Sequence, residues 1–551
     1  MRDSSAKVTS AFVGRVSELG LVTAFFLGVT LLRFADRPPL GDGLDGAYYL
    51  NIARHVAAGR GLVTSLSIYH AGLETLPSAT VAYPLLPLLL GGLARFVGLE
   101  WAARAVPACC YVASLVLLYV WLRVSLARWL PSPRLWAPGV AFGATALLAL
   151  NPVFGWASSR PYTESLALLL VFATLLAYSL ARRRQRCVGR DGAVFLGVGV
   201  LAGLAYLARF QLVVVVVALV VVELAGRDAA RFRRVAWLLL GALVPMGAWA
   251  QRVLGLPHAG LRDLLDFARY RALPALPPFE YEVPCSGAVA CVGDKLAGVA
   301  AAFSPAGSTS YVAQFGVVAY AIPIALVVVP WLHRRGVRWR ALRRARHADL
   351  VASALMGVLA VAPIHLVHSE HWYEWAFGWR QGLPLVLLLV PALAVLLAAF
   401  RAPGATGPAE RLTRKAVSAL AASLLVVSLV TLGTKAVRGS DAPLLTAGLE
   451  GSREAAEVLQ HVALHERTLG IEPQPVAAFT DAPLDWLACW SEPVVAEVLV
   501  RERHVTRALL RPGELSCRSL ARIRGQLRLE AVVGHRHEFG LFTIVNREPP
   551  R

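Results

Sequence analysis

Lysine is almost missing from this chain. Lys7, Lys295, Lys415 and Lys435 are its only lysines, although lysine and arginine together number 55 against 35 acidic residues. Such an arginine bias fits a GC-rich bacterial genome. Charge of any kind is scarce, at 16% of residues, while 57% are hydrophobic and the mean hydropathy is +0.57. That composition excludes a soluble globular protein of 551 residues and leaves a polytopic membrane protein. There is no internal repeat, no heptad run, no low-complexity tract and no phosphate-binding glycine loop, which excludes solenoids, coiled coils and P-loop nucleotide enzymes. A cleavable leader is also lacking. The first apolar segment, residues 19–32, has no small-residue exit and runs into Arg33, Asp36 and Arg37, so it reads as an uncleaved first span.

What is present is a net charge of +20 whose arginines gather in short loops between apolar runs. Nucleic acid is discounted as a partner for that reason, because the positive-inside rule demands this arrangement. About eleven spans are expected, near residues 19–32, 105–121, 136–150, 165–180, 194–208, 212–224, 235–249, 315–332, 350–366, 383–400 and 416–432. The expected layout is an all-α membrane domain over residues 1–434, with a first outside loop at 33–104 and a long outside loop at 250–314. A small extracytoplasmic α/β domain is expected over residues 435–551. The N-terminus is placed in the cytoplasm, and the setting is a bacterial inner membrane. Within the apolar stretch from Gly197 to Gly203 the glycines serve helix packing.

The seven cysteines divide by region. Cys109, Cys110 and Cys187 sit in or beside spans. If the long polar regions face an oxidising compartment, Cys285 with Cys291 and Cys489 with Cys517 are the natural pairs; four free thiols are the alternative.

The stretch from Gly41 to Leu62 is the most informative. Asp42 or Asp45 can cap a helix on which Tyr48, Tyr49, Ile52, Ala53 and Val56 share one face, and Gly59 and Gly61 stop it. That helix lies on the membrane and holds a carboxylate at its water-facing lip. Residues 83–97 are apolar but short, broken by Pro84 and Pro87 and interrupted by Arg95. They favour a second interfacial or re-entrant helix over a span.

An enzyme that displaces a phosphate from a lipid-borne sugar needs a base, cations for the growing phosphate charge, and an enclosed polar pocket beside the lipid. Asp45 is the candidate base, its bland alternative being a helix cap. Asp42 can take the cap and leave Asp45 free, and it joins Tyr48, Tyr49, Tyr83, Arg160 and His371 as a substrate-facing candidate. Glu164, at the outer start of the fourth span, is a second catalytic candidate, or else complements the helix dipole. Arg209, isolated between two apolar spans, is the first candidate for a lipid phosphate and Arg380 the second; both can instead snorkel to headgroups. His368 and His371, with Glu370 and Glu374, have the spacing of a metal pair. They also sit in a belt with Trp372, Tyr373, Trp375 and Trp379, the reading preferred here, so no metal ligand is assigned and no cofactor is required, a divalent metal being the sole option.

Several motifs together resemble GT-C type glycosyltransferases of the protein-mannosyltransferase and aminoarabinose-transferase group. They are Asp45-x-x-Tyr48-Tyr49 with Ala58-Gly59-Arg60-Gly61-Leu62, Tyr83-Pro84, Asn151-Pro152 with Glu164-Ser165, Gly199-x-x-x-Gly203-Leu204 with Arg209, and Trp379-Arg380-Gln381-Gly382-Leu383-Pro384. In order, they cover roughly residues 20–400. The resemblance implies a polyprenyl-phosphate sugar as donor, Asp45 as the catalytic carboxylate, and inversion at the sugar carbon as the polyprenyl phosphate leaves. One departure stands out. Aminoarabinose transferases carry Glu-Lys before the proline of the second surface helix, where this chain has Val81-Ala82-Tyr83, so other cations must meet the leaving phosphate. The acceptor is left open, membrane lipid is the surrounding partner, and the rival reading is a transporter or lipid flippase without transferase activity.

Overall fold

The computed structural model describes residues 2–34, 44–67, 78–79, 83–129, 133–150, 152–183, 191–226, 229–254 and 348–367, and, with gaps, 387–394 and 452–545. The helices are α1 (Arg2–Phe34), α2 (Leu44–Ala57), α3 (Leu85–Val97), α4 (Leu99–Trp129), α5 (Pro133–Ala149), α6 (Pro152–Ser158), α7 (Glu164–Arg183), α8 (Asp191–Ala208), α9 (Val213–Leu224), α10 (Arg231–Leu254) and α11 (Ala348–Val367). The spans expected at 19–32, 105–121, 165–180, 194–208, 235–249 and 350–366 lie within single helices, those at 136–150 and 212–224 overrun α5 and α9 by one residue, and of 383–400 only Leu387, Val390, Pro391 and Ala394 are described. The spans expected at 315–332 and 416–432, the cysteines Cys285 and Cys291, and all of the loop after residue 254 lie outside the described residues.

The count of about eleven clear spans needs correction for the described part. Only Leu99–Ala127 and Glu164–Arg183 combine spanning length with high hydropathy, while Val16–Leu32, Gly192–Ala208, Phe210–Leu224 and Ala348–Gly357 are shorter apolar stretches. The reason is visible in the chain. Arginines, glycines and polar turns trim the apolar windows at both ends, and a stretch of 17 residues rises only ~25 Å against a hydrocarbon core of ~30 Å. The bundle nevertheless wears an apolar coat. Val213, Val217 and Val221 are exposed along one stripe of α9, and Leu239, Leu240, Leu243 and Val244 along α10, a surface suited to lipid and not to water.

Close helix approach is built with glycine where expected, but not at every position. A Cβ on Gly199 would sit 2.1 Å from the Leu238 carbonyl oxygen, one on Gly203 2.6 Å from that of Ala242, and one on Gly241 2.1 Å from that of Leu196. Backbone therefore meets backbone between α8 and α10 through a small-xxx-small seam. Gly197 has open space around it and takes no part. At the far end of this pair, Glu223 is fully buried: Arg234 Nε donates to it at 2.7 Å, Tyr178 Oη at 2.6 Å, and Arg182 lies 3.2 Å away.

The first loop contributes both helices and strands. α2 ends at Ala57 in a Schellman motif: Arg60 N–H donates to the His55 carbonyl at 2.9 Å, Gly59 N–H to that of Val56 at 3.0 Å, and Gly59 has φ 79°. α3 is short, as expected; its 13 residues rise ~20 Å, too little to span. Its Gly91 lies against α2, where a Cβ would stand 2.6 Å from the Ala53 carbonyl oxygen. Arg95 Nη2 donates to the Val56 carbonyl at 2.8 Å, a second donor to the oxygen that Gly59 N–H already bonds at the end of α2.

α2 differs from its expected setting in one respect. The sequence predicts a helix with one face on the membrane and the other toward water. In the structure Tyr48, Tyr49, Ile52 and Ala53 are buried, but so are Asn51 and His55 on the opposite face.

What covers that face is the C-terminal part of the chain. β1 (Val63–Thr64) and β3 (Ser78–Ala79) form a two-stranded antiparallel pair. β2 (Leu66–Ser67) instead joins β4 (Thr468–Ile471), β5 (Leu484–Leu487), β6 (Arg507–Leu510), β7 (Leu527–Val533) and β8 (Phe539–Ile544) in a mixed sheet of order β2-β5-β4-β6-β8-β7. β2, β5, β4 and β6 run parallel, and β8 and β7 complete the sheet antiparallel. The sequence pattern predicts short strands at 476–480, 494–498, 529–533 and 541–545; the last two match β7 and β8, whereas in the first two Val476 and Ala496 are helical. Because β2 pairs with β5, the first loop and the C-terminal sheet lie on the same side of the bundle. Cys517 is disulfide-bonded; its expected partner, Cys489, lies outside the described residues.

Candidate functional site

The N-terminus of α2 rests on the turn between α6 and α7. At Gly46 a Cβ would come within 3.2 Å of the Tyr162 ring and 3.4 Å of Pro161, so α2 sits in close contact with this turn. Asp45 is half-buried in the first turn of α2, inside the helix and not at the capping position before it. The turn beneath carries Arg160, also half-buried, and leads directly into Glu164, the first residue of α7.

Glu164 meets Arg209. The guanidinium donates through Nη1 to Glu164 Oε1, and the two residues are 2% and 7% exposed. Arg209 occupies an extended residue between α8 and the turn Phe210–Leu212 that opens α9, its N–H bonded to the Ala205 carbonyl at 3.0 Å. A break in the helical path at this point projects the arginine toward the start of α7. The sequence predicts Arg209 as an isolated cation; the structure gives it a carboxylate partner. In a buried setting that pairing is what makes either charge tolerable.

Aromatic rings join the two halves. Tyr49 and Tyr83 have centroids 6.4 Å apart, Tyr83 stands edge-on to Phe210 at 4.7 Å, and Phe210 contacts Tyr206 at 5.1 Å. Tyr48 lies 6.3 Å from Tyr49 on α2. Asp45, Tyr48, Tyr49, Tyr83, Arg160, Glu164 and Arg209 thus come from four separate parts of the chain to one end of the bundle. Asp42, His371 and Arg380 lie outside the described residues, as do His368, Glu370 and Glu374. Among the described residues no cluster of three or more potential metal ligands occurs.

Several buried polar atoms in this neighbourhood lack a protein partner among the described residues: Ser158 Oγ, Thr163 Oγ1, Ser165 Oγ, Arg209 Nε and Gln211 Nε2. Buried donors are ordinarily satisfied. Thr163 and Ser165 flank Glu164 at the N-terminus of α7, Arg209 bonds it, and Ser158 and Gln211 belong to the adjoining α6 and Phe210–Leu212 turn, so these segments carry donors for an oxygen-bearing group. The hydroxyls of Ser158, Thr163 and Ser165 and the amide of Gln211 do not stand out in the sequence, because short polar residues at a turn read equally well as turn formers.

The polar face of α2 was likewise not recognisable as functional. Asn51 Nδ2 donates to the Thr480 carbonyl at 3.1 Å, and Arg60 Nη2 donates to Asp481 Oδ2 at 2.7 Å. His55 Nε2 lies 2.7 Å from Ser65 Oγ and 3.9 Å from Asp481 Oδ1. Serine and aspartate both approach the same ring nitrogen, so this trio is no nucleophile–base–carboxylate relay, in which the two would flank opposite nitrogens. Burial holds the His55 imidazole down at about 4, assisted by the Arg60 and Arg54 charges and opposed by Asp481. Burial also lowers the Arg54 guanidinium, with Asp481 acting against it.

No protein-family model and no curated protein matches this chain. Solved structures do. ArnT from Cupriavidus metallidurans bound to undecaprenyl phosphate superposes with a TM-score of 0.57 at 15% identity, covering 98% of this chain and 99% of that one. The Archaeoglobus fulgidus oligosaccharyltransferase in its apo form superposes with a TM-score of 0.56 at 13% identity, covering 90% of this chain and 69% of that one. The same enzyme tethered to an acceptor peptide containing the NVT sequon gives 0.55 at 13% identity, with coverage of 91% and 70%. The chain shares the fold of these two transferases, both GT-C enzymes, the group its motifs resemble.

Proposed function

We propose that this chain is an inverting glycosyltransferase that moves a sugar from a polyprenyl-phosphate carrier to an acceptor on the extracytoplasmic face of a bacterial inner membrane. The observation that carries this reading is the seating of α2, with the half-buried carboxylate Asp45 in its first turn, on the turn that leads into Glu164 and its buried partner Arg209, where several buried polar atoms have no protein partner among the described residues. The donor class is supported by a neighbour of the same fold bound to undecaprenyl phosphate. The outer face is supported by the arginine bias of the loops and by a disulfide at Cys517, which suits an oxidising compartment.

In this mechanism Asp45 takes the proton from an acceptor hydroxyl or amine as that atom attacks the sugar's anomeric carbon. The bond between that carbon and the phosphate oxygen breaks on the opposite face, and its electron pair stays with the leaving polyprenyl phosphate. A single displacement inverts the sugar carbon. Arg209, the hydroxyls of Ser158, Thr163 and Ser165, and the first N–H groups of α7 meet the charge that grows on the phosphate. Glu164 takes a different part from Asp45. Tied to Arg209, it holds the guanidinium in place, while the role of base is assigned to Asp45 in the first turn of α2. Tyr48, Tyr49 and Tyr83 are assigned to the sugar side of the site.

The test compares carriers in lipid nanodiscs. Undecaprenyl phosphate is expected to bind about tenfold or more tighter than undecaprenol, which lacks the phosphate, consistent with a charge-assisted contact of 1.5–3 kcal/mol. A Glu164→Gln/Arg209→Gln double variant, which keeps the site electrically balanced, is expected to lose that preference. Equal binding of the two lipids by the parental chain would remove the basis for the reading.

A further inference from the structure

Beyond the residues near the reaction, the helix that carries Asp45 is gripped from the opposite end of the sequence. Asn51 is 1% exposed and uses both ends of its carboxamide: Nδ2 donates to the Thr480 carbonyl at 3.1 Å, and Oδ1 accepts from Ser65 N–H at 2.8 Å and Thr64 Oγ1 at 3.0 Å. One turn on, Arg54 Nη2 reaches Gln460 Oε1 at 3.2 Å and Asp481 Oδ2 at 3.4 Å. Past the helix end, Arg60 Nη2 bonds the same carboxylate oxygen at 2.7 Å. The strand following α2 then enters the C-terminal sheet, where Leu484 N–H donates to the Ser65 carbonyl at 2.9 Å. A side-chain hydrogen bond, two ion pairs and a strand pairing, all from residues 460–485, therefore hold the second half of α2 and the chain just past its end.

This grip has a mechanical consequence at the other end of the helix. Arg54 lies nine residues beyond Asp45, which is ~14 Å along a helix axis. At that radius a tilt of about 4° displaces Asp45 by about 1 Å, and a misplacement of that size can cost ~100-fold in rate. Gly46 rides directly on Tyr162 and Pro161, so little clearance exists to absorb a tilt. Asp481 is also the counter-charge for Arg54 and Arg60, and without it two cations would face each other across the buried His55.

We infer that Asp481, with Thr480, is a positioning residue for the reaction: by clamping Asn51, Arg54 and Arg60 it fixes the tilt of α2 and hence the place of the Asp45 carboxylate. The C-terminal part of the chain is thereby a component of the catalytic geometry and not only an attachment to the membrane domain. The inference rests on Asp45 being the base, and its test separates the two ideas.

Asp481→Asn keeps the shape of the side chain and removes its charge. In a transfer assay with a polyprenyl-phosphate sugar, kcat is expected to fall by about 10- to 100-fold while KM for the lipid donor changes by less than about twofold. Hydrogen exchange should rise across residues 45–57 and stay unchanged across 164–183. Asp481→Glu, which keeps the carboxylate facing both Arg54 and Arg60, should retain most of the kcat that Asp481→Asn loses. Arg60→Gln, altering a side chain that is 41% exposed, makes the same test if Asp481→Asn fails to fold. Unchanged kcat, whether or not exchange rises in α2, overturns the positioning role, as does a loss expressed in KM. If the parental chain itself transfers no sugar from any polyprenyl-phosphate donor, it is the enzyme reading that fails, and the exchange data then report the clamp alone.

Discussion

Arg209 and Glu164 form a buried ion pair that joins the bend between α8 and α9 to the first residue of α7. The pair sits at the end of the bundle where α2 presents Asp45. It converts what the sequence shows as two separate charged residues at span ends into one unit with a fixed geometry.

Breaking that pair from one side should be costly. Arg209→Ala leaves the Glu164 carboxylate buried without its cation and is expected to destabilise the chain by about 3–5 kcal/mol. The Glu164→Gln/Arg209→Gln double variant should lose markedly less. Unfolding midpoints of the two variants in the same detergent check this ordering.

A second buried cluster, far from the site, should govern stability without touching transfer. Tyr178→Phe removes a 2.6 Å hydrogen bond to the buried Glu223. It is expected to cost about 1.5–3 kcal/mol, the range for a bond to a charged group. Turnover per folded molecule should match the parental chain.

The glycine seam between α8 and α10 allows a matched pair of substitutions. Gly199→Ala forces a methyl group against the Leu238 backbone, where 2.1 Å is available, whereas Gly197→Ala meets nothing within 4 Å. Overpacking predicts a loss of about 1–3 kcal/mol for the first. Gly197→Ala, in open space, should lie within about 0.5 kcal/mol of the parental chain. Thermal unfolding of both in nanodiscs reads the difference.

His55 makes the junction between α2 and the C-terminal sheet sensitive to acid. Its imidazole titrates at about 4 in the fold against 6.5 when free, so between those values the unfolded chain binds more protons. Stability contributed by the neutral, buried ring is therefore fully present above about 6.5, falls as pH drops, and is gone below about 4. The swing is on the order of 3 kcal/mol. Ser65, Arg54, Arg60 and Asp481 face the ring. A His55→Gln variant should flatten this part of the stability profile measured between pH 7 and 4.

Much of the site was legible in the sequence because its signals are local. The aromatic spacing and terminal glycines of residues 44–61 define a helix, and Glu164 and Arg209 stand at the ends of apolar runs where charge is conspicuous. Their mutual contact was not legible, since nothing in either neighbourhood encodes the break that turns Arg209 toward α7. The role of β2 was also hidden. Leu66 and Ser67 are too few to show a period, and their partners in β5 lie more than 400 residues away. The strands β4, β5 and β6 read TLGI, LDWL and RALL, short segments whose leucine and alanine do not favour a strand by themselves. Asn51, Arg54 and His55 recur at helical spacing and so imitate a solvated face, although a protein surface covers it.

The central claim is that the Asp45 carboxylate drives transfer from a polyprenyl-phosphate sugar. It is tested most directly in cells whose only copy of the gene carries Asp45→Asn, with the variant present in the membrane at the parental level. Mass spectrometry of their lipid extracts should show a polyprenyl-phosphate sugar accumulating as it does when the gene is deleted. A lipid profile indistinguishable from that of parental cells would contradict the account.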